Sequence, residues 1–115
     1  MRRGEVRWVD LAPSAGTEAD KRRPAVVVSN DGANSTASRI GRGVITVVPV
    51  TSNVTRIYPF QVLLRVEDSG LGRQSKAQAE QVRSVDVSRV GSRVSQLPAG
   101  VMEQVDEALR IHLAL

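Results

Sequence analysis

The chain has 115 residues, 41% of them hydrophobic and 24% charged, with a formal net charge of +4; that is the make-up of one ordinary globular domain, 1–115, with room for a single core. It holds no cysteine and one histidine, which excludes disulfide scaffolds, thiolate metal sites, a cysteine nucleophile and any chemistry built on a pair of histidines. There is no run of about 18 apolar residues and no apolar signal core at the N-terminus, so the expected location is cytoplasmic, without membrane association.

In chain order, residues 5–11 read as a strand. Val6, Trp8 and Leu11 alternate with polar residues, the pattern of one buried face, and Trp8 is expected in the core. Residues 12–20 are small and polar and include Pro13 and Gly16, which predicts a loop long enough to lid a site. The loop hands over to Lys21, Arg22 and Arg23, which run straight into Pro24 and an apolar stretch ending at Val28. That stretch predicts a strand buried on both faces. Pro24 has no N–H to donate and is expected at the strand's first position. A residue before proline is held extended, so Arg23 is fixed at the mouth of a buried strand, well placed to meet a phosphate. A solvated loop end is the alternative reading of the same charges.

Residues 31–39 show no apolar period and read as a turn or a short helical turn. Residues 44–52 are the second strong strand, and Pro49 inside it argues for an edge or a bulge. If this strand pairs antiparallel with the first Val-rich one, Arg23 at one strand start meets Thr51 and Ser52 at the other strand's end. Residues 53–59 form a connection with Arg56 and Tyr58 as exposed candidates. Residues 60–66 predict a third strand, 67–74 a loop, 75–83 a strand of alternating small and polar residues, 86–89 a short helical turn and 93–95 a last short strand.

Only the end of the chain has a clear helical period. Pro98 suits a helix start, and Val101, Val105, Leu109 and Leu113 recur at about 100° per residue with Leu97, Met102 and Ala108 beside them. Glu103, Asp106, Glu107 and Arg110 face away. His112 falls in the stripe near the chain end and reads as structural or exposed rather than catalytic. Residues 101–115 carry a net −2, which leaves +6 on the first hundred. A basic body with a mildly acidic final helix suits a polyanion such as nucleic acid, and equally an acidic protein partner. The residues together read as five or six short strands of a barrel-like sheet closed by a C-terminal helix.

Phosphate-cradling glycine motifs are absent, and the carboxylates show no metal-ligand grouping; neither a metal nor another cofactor is expected. What stands out is a set of polar residues at predicted strand ends: Arg23, Thr51 and Ser52, then Glu80, Gln81 and Arg83. Two guanidiniums and a hydroxyl are enough to bind a phosphate and to stabilise charge that builds on it.

These residues also carry a resemblance. Arg3-Gly4-Glu5-Val6, Asp10-Leu11-x-Pro13-x-x-Gly16-x-Glu18 and the run from Arg23-Pro24 to Ser29-Asn30-Asp31 resemble the N-terminal half of MazF-type toxins. Val50-Thr51-Ser52, Glu80-Gln81-Val82-Arg83-Ser84-Val85-Asp86 and Met102-x-x-Val105-Asp106-x-Ala108-Leu109 agree in the same order. The resemblance implies a compact SH3-like barrel of five to seven short strands with a terminal helix, working as a homodimer. It implies a sequence-specific, metal-independent endoribonuclease of a toxin–antitoxin pair, acting on single-stranded RNA. Arg23 and Thr51 match the family's catalytic positions. Glu18, Asn30 and Gln81 match its RNA-contact positions, and Arg22, Ser52, Glu80 and Arg83 lie beside them. The implied antitoxin is of MazE type, with an acidic segment that lies across the basic groove. Departures from the family, such as Lys76-Ala77-Gln78-Ala79 after Ser75 and the basic loop 39–43, fall where base preference is set. Two other classes fit the same fold: a gyrase poison of the CcdB type, and a nucleic-acid-binding barrel without activity, the latter weakened by the scarcity of exposed aromatics.

Overall fold

Valine builds the sheet. A computed structural model describes residues 1–11 and 22–115. The predicted loop 12–20, with Glu18, and Lys21 lie outside the described residues. The elements are β1 (Glu5–Asp10), β2 (Arg22–Val27), α1 (Asp31–Ile40), β3 (Val44–Thr51), β4 (Gln61–Leu64), α2 (Val66–Ser69), β5 (Ser75–Gln78), β6 (Arg83–Asp86), β7 (Val90–Gln96) and α3 (Ala99–Leu113), with 3-10 turns at Ala79–Gln81 and Val87–Arg89. Among the described residues seven strands form the sheet, in the order β4-β5-β3-β2-β1-β7 with β6 also on β3. This is the mainly-β plan with a C-terminal helix that the sequence leads one to expect.

β2 and β3 are the centre, antiparallel, with Ala25 opposite Pro49 and Val27 opposite Val47. Successive side chains point to opposite faces, and both faces are covered. Val26 and Val48 join Val6, Leu64, Met102 and Val105 in one apolar layer, beneath α3. Ala25, Val27, Ile45 and Val47 join Val9, Val85 and Ala37 of α1 in the other. The reading of a strand buried on both faces therefore holds for β2, and β3 is covered in the same way. Within α3, Val105 is fully buried while Leu113 and His112 are exposed.

Several expectations change. Trp8 is not core: it is 39% exposed. Residues 31–40 form a ten-residue helix, so α3 is not the only one. Asn30 caps α1 by accepting from the Ala33 N–H, and Gly41 ends it at φ 69°. The helix is fastened to the sheet by polar atoms. Buried Asn34 donates to the Ser29 carbonyl at 2.8 Å and accepts from the Ser29 hydroxyl, which in turn accepts from the Thr46 N–H. Pro49 is neither on an edge nor in a bulge. It sits where β3 changes partner, between Val47 opposite Arg83 of β6 and Val50 opposite Ala77 of β5; the ladder asks for no donor on that side. The predicted strand 75–83 is accordingly two strands with a 3-10 turn between them. Asp106 does not face away but accepts from Arg3 at 2.6 Å.

Candidate functional site

In an antiparallel sheet, alternate strand starts and strand ends share one rim. Here that rim gathers the end of β1, the start of β2, the end of β3 and the start of β6. Arg23 stands opposite Val9 of β1. The β2–β3 ladder ends at the Ala25–Pro49 pair, so Arg23 and Thr51 lie two residues beyond it at the same rim, and Arg22 and Ser52 three. Alternate residues of a strand share a face. Arg23 and Thr51 thus lie on the face of Val9 and Val47, and Arg22 and Ser52 on the face of Pro24 and Val50. Arg23 is exposed and Thr51 half-buried. The Thr51 hydroxyl oxygen accepts from the Asn53 N–H at 3.2 Å, which holds the side chain in the turn and leaves its proton to donate.

More guanidiniums converge on the same rim. Arg83 donates to the Leu11 carbonyl at 3.0 Å, and Arg89 to the Asp10 carbonyl at 3.5 Å. Arg89 rides on a turn whose cap, Asp86, accepts from Ser88; that hydrogen bond holds the Asp86 carboxyl below its ordinary range. A cavity of about 320 Å³ opens here, walled by Trp8, Arg22, Arg23, Pro24, Val50, Ser52, Leu71 and Arg73. The arrangement combines fixed positive charge, hydroxyl donors and one exposed indole, the set that grips a phosphodiester and a flat base.

The other residues marked from the sequence divide. Gln81 is exposed on the turn before β6. Glu80 is turned inward, where it accepts from the Gln61 side-chain amide at 2.7 Å; its Oε1 is buried and has no hydrogen-bond partner among the described residues. Asn30 lies at the far end of β2, roughly 20 Å from Arg23 by strand length, with its side-chain oxygen committed to capping α1. Trp8, Arg73 and Arg89 are also at the rim, although the sequence does not mark them as site residues and Trp8 reads there as core. Trp8 had a readable signal, since pairing of the first two strands sets it opposite Pro24. Arg73 and Arg89 had none, because they come from segments far along the chain.

Residues 2–113 match the family model described as PemK-like, MazF-like toxin of type II toxin-antitoxin system. The chain belongs to this family. It is 57% identical over 115 residues to endoribonuclease MazF9 of Mycobacterium tuberculosis, covering 100% of this chain and 98% of that protein. To endoribonuclease EndoA of Bacillus subtilis it is 34% identical over 116 residues, covering 100% and 96%. Among solved structures, MazE–MazF of Deinococcus radiodurans is similar with a TM-score of 0.77 at 31% identity, covering 100% of this chain and 97% of that one. The family resemblance carried by Arg23-Pro24, Thr51 and Glu80-Gln81 therefore holds, and the CcdB/MazF-like fold with it.

Proposed function

We propose that this toxin-family protein is an endoribonuclease that cuts single-stranded RNA at the rim described above and is silenced by a cognate antitoxin. The observation that supports the reading is the strand register that brings Arg23 and Thr51 to one face of one rim, amid further guanidiniums. The chemistry is attack by the RNA's own 2′-hydroxyl on the adjacent phosphorus. A 2′-O–P bond forms and the P–O5′ bond breaks. The 2′-hydroxyl gives up its proton and the 5′-oxygen takes one, leaving a 2′,3′-cyclic phosphate and a 5′-hydroxyl. Arg23 stabilises the charge that gathers on the non-bridging oxygens, and the Thr51 hydroxyl donates to one of them. Arginine stays protonated at neutral pH, so its role is electrostatic rather than that of a base. Because the nucleophile belongs to the substrate and the countercharge to arginine, cutting needs no metal.

Gln81, Arg83, Arg22 and Ser52 line the path of the strand on either side of Arg23. Glu80 instead anchors the turn that carries Gln81. Glu18 remains a proposed RNA contact on the family pattern. Single-stranded RNA is the substrate because base edges must be splayed to be read. An acidic, initially disordered antitoxin segment competes for the same guanidiniums, and the active form is a homodimer.

The test is cleavage of a long single-stranded RNA by purified protein in EDTA, wild type beside Arg23→Ala, with fragment ends sequenced and chemically identified. Discrete cuts that persist in EDTA, leave cyclic phosphates and vanish in the variant are expected. No cutting by folded wild type across diverse RNAs overturns the reading in favour of a binding or gyrase-directed role.

A further inference from the structure

The connection from β3 to β4 carries an aromatic stack that the catalytic reading leaves unused. Tyr58 and Phe60 lie face to face, ring centroids 5.3 Å apart and planes within 2°. Tyr58 is nevertheless 42% exposed. The Arg56 guanidinium lies over the tyrosine ring toward its hydroxyl end, its carbon 5.7 Å from the ring centroid, and donates to the tyrosine oxygen at 3.2 Å. A flat, 42% exposed ring stacked on a second ring, with a cation over it, combines a stacking surface with a charge that can meet a phosphate.

The loop is held in shape rather than left to find one. The Tyr58 N–H donates to the Gln61 side chain at 3.1 Å, and the Gln61 N–H to the Tyr58 carbonyl at 2.9 Å. Buried Lys76 reaches out to donate to the Arg56 carbonyl at 2.6 Å. These anchors also fix the loop's distance from the chemistry. Lys76 is the β5 partner of Thr51, so one lysine side chain separates Arg56 from the residue opposite Thr51, a span on the order of 10 Å. Gln61 also holds Glu80, on the turn that carries Gln81. The stack therefore sits a nucleotide or two along a strand whose phosphate is at Arg23 and Thr51.

We propose that Tyr58, backed by Phe60, is a stacking platform for a base of the bound single-stranded RNA flanking the cut, with Arg56 contacting the phosphate of that nucleotide. This rests on the ribonuclease reading and names part of its substrate site. Stacking is tolerant of base identity, so the platform supplies affinity and register, and Gln81 and its neighbours are left to read the edges.

The probe is a short RNA containing the mapped cut, with a 2′-O-methyl group at the attacking position so that it binds without reacting. Its dissociation constant is measured by fluorescence anisotropy for wild type, Tyr58→Ala, Tyr58→Leu and Tyr58→Phe. Alanine is expected to weaken binding about 5- to 150-fold, phenylalanine about twofold or less, and leucine nearly as much as alanine although it keeps the apolar bulk. The leucine variant decides the matter if alanine fails to fold. Cleavage of unmodified RNA by folded Tyr58→Leu should show the loss in KM with kcat kept. An abasic nucleotide at the stacked position should erase the difference between wild type and Tyr58→Leu. Folded leucine or alanine variants that bind the probe as tightly as wild type overturn the platform while leaving the nuclease standing. Wild type that binds the probe but never cuts RNA overturns the nuclease, and the same titrations still decide the stack.

Discussion

Arg23 is where sequence, backbone and chemistry meet. Pro24 holds it extended, Val9 of β1 pairs with it, and Thr51 lies just past the end of the β2–β3 ladder at the same rim. Arg23→Ala should lower kcat about 100- to 1,000-fold. Arg23→Lys should recover little, since an ammonium keeps the charge but loses the planar fork that meets two phosphate oxygens at once; single-turnover cleavage of one mapped site measures both. A second residue acts on stability alone. Glu5 is 5% exposed, yet it accepts from Arg7 at 2.8 Å and pairs with Arg93 at 3.5 Å. Burial pushes its carboxyl up, but the Arg7 hydrogen bond, a backbone N–H from Arg2 and the nearby positive charge together leave it below its ordinary range. A carboxyl depressed by folding stabilises the fold above its unfolded value near 4.3 and loses that contribution as pH falls through the lowered folded value. Glu5→Gln should therefore cost about 1–3 kcal/mol at pH 7, with wild type and variant converging in strong acid. Urea midpoints across pH 2–7 test this, and a difference that persists unchanged at the acid end defeats it.

At the scale of elements, what could be read followed from what buried each element. β2 and β3 are apolar on both faces, and a continuous Val-rich run admits few other interpretations. α3 buries one apolar stripe, and its period is plain. α1 gave no period because its attachment is polar: Asn34 is locked to Ser29, whose hydroxyl in turn accepts from the Thr46 N–H, and among the described residues only small Ala37 packs beneath it. Its legible signals were its ends, Asn30 and Gly41. Residues 75–83 look uniform along the chain, and the break between β5 and β6 is imposed by β3 changing partner, a long-range fact. The rim suffered likewise. Arg23, Thr51 and Arg83 stood out as strand ends, whereas Arg73 and Arg89 arrive by topology. One junction tests this packing. Gly4 has φ 93°, its N–H bonds the Val27 carbonyl and its carbonyl accepts from Leu97, and an added Cβ would fall 2.4 Å from the Gln96 amide nitrogen. Gly4→Ala should destabilise by about 1–3 kcal/mol through both strain and the displaced Gln96. Thermal melts read the loss, and RNA cleavage well below the lowered melting temperature should be kept, because the junction lies at the other end of β1 from the rim.

The whole molecule is a modestly basic body whose charge is concentrated rather than large. Arg22, Arg23, Arg73, Arg83 and Arg89 crowd one rim, while the net charge is only +4. Two salt dependences of opposite sign follow. Each guanidinium that meets an RNA phosphate contributes a slope of about −0.7 in log affinity against log salt. Five such contacts would cost affinity about 100-fold between 50 and 200 mM. The same crowding repels itself when no RNA is bound, and salt screens that repulsion over about 10 Å, so the free protein's melting temperature should rise over the range in which RNA binding weakens. Arg73→Gln tests both effects. It stands in the cavity wall away from Thr51, so its loss should flatten the binding slope by about 0.7 and weaken different RNAs alike. It should also raise the melting temperature at low salt. A single-stranded DNA of the same sequence should show nearly the wild-type slope, since it offers the same phosphates, yet remain uncut, since it lacks the 2′-hydroxyl. If Arg73→Gln leaves the slope unchanged while Arg23→Gln flattens it, the strand passes the rim without entering the cavity, and the path of the RNA must instead follow Thr51 toward Tyr58.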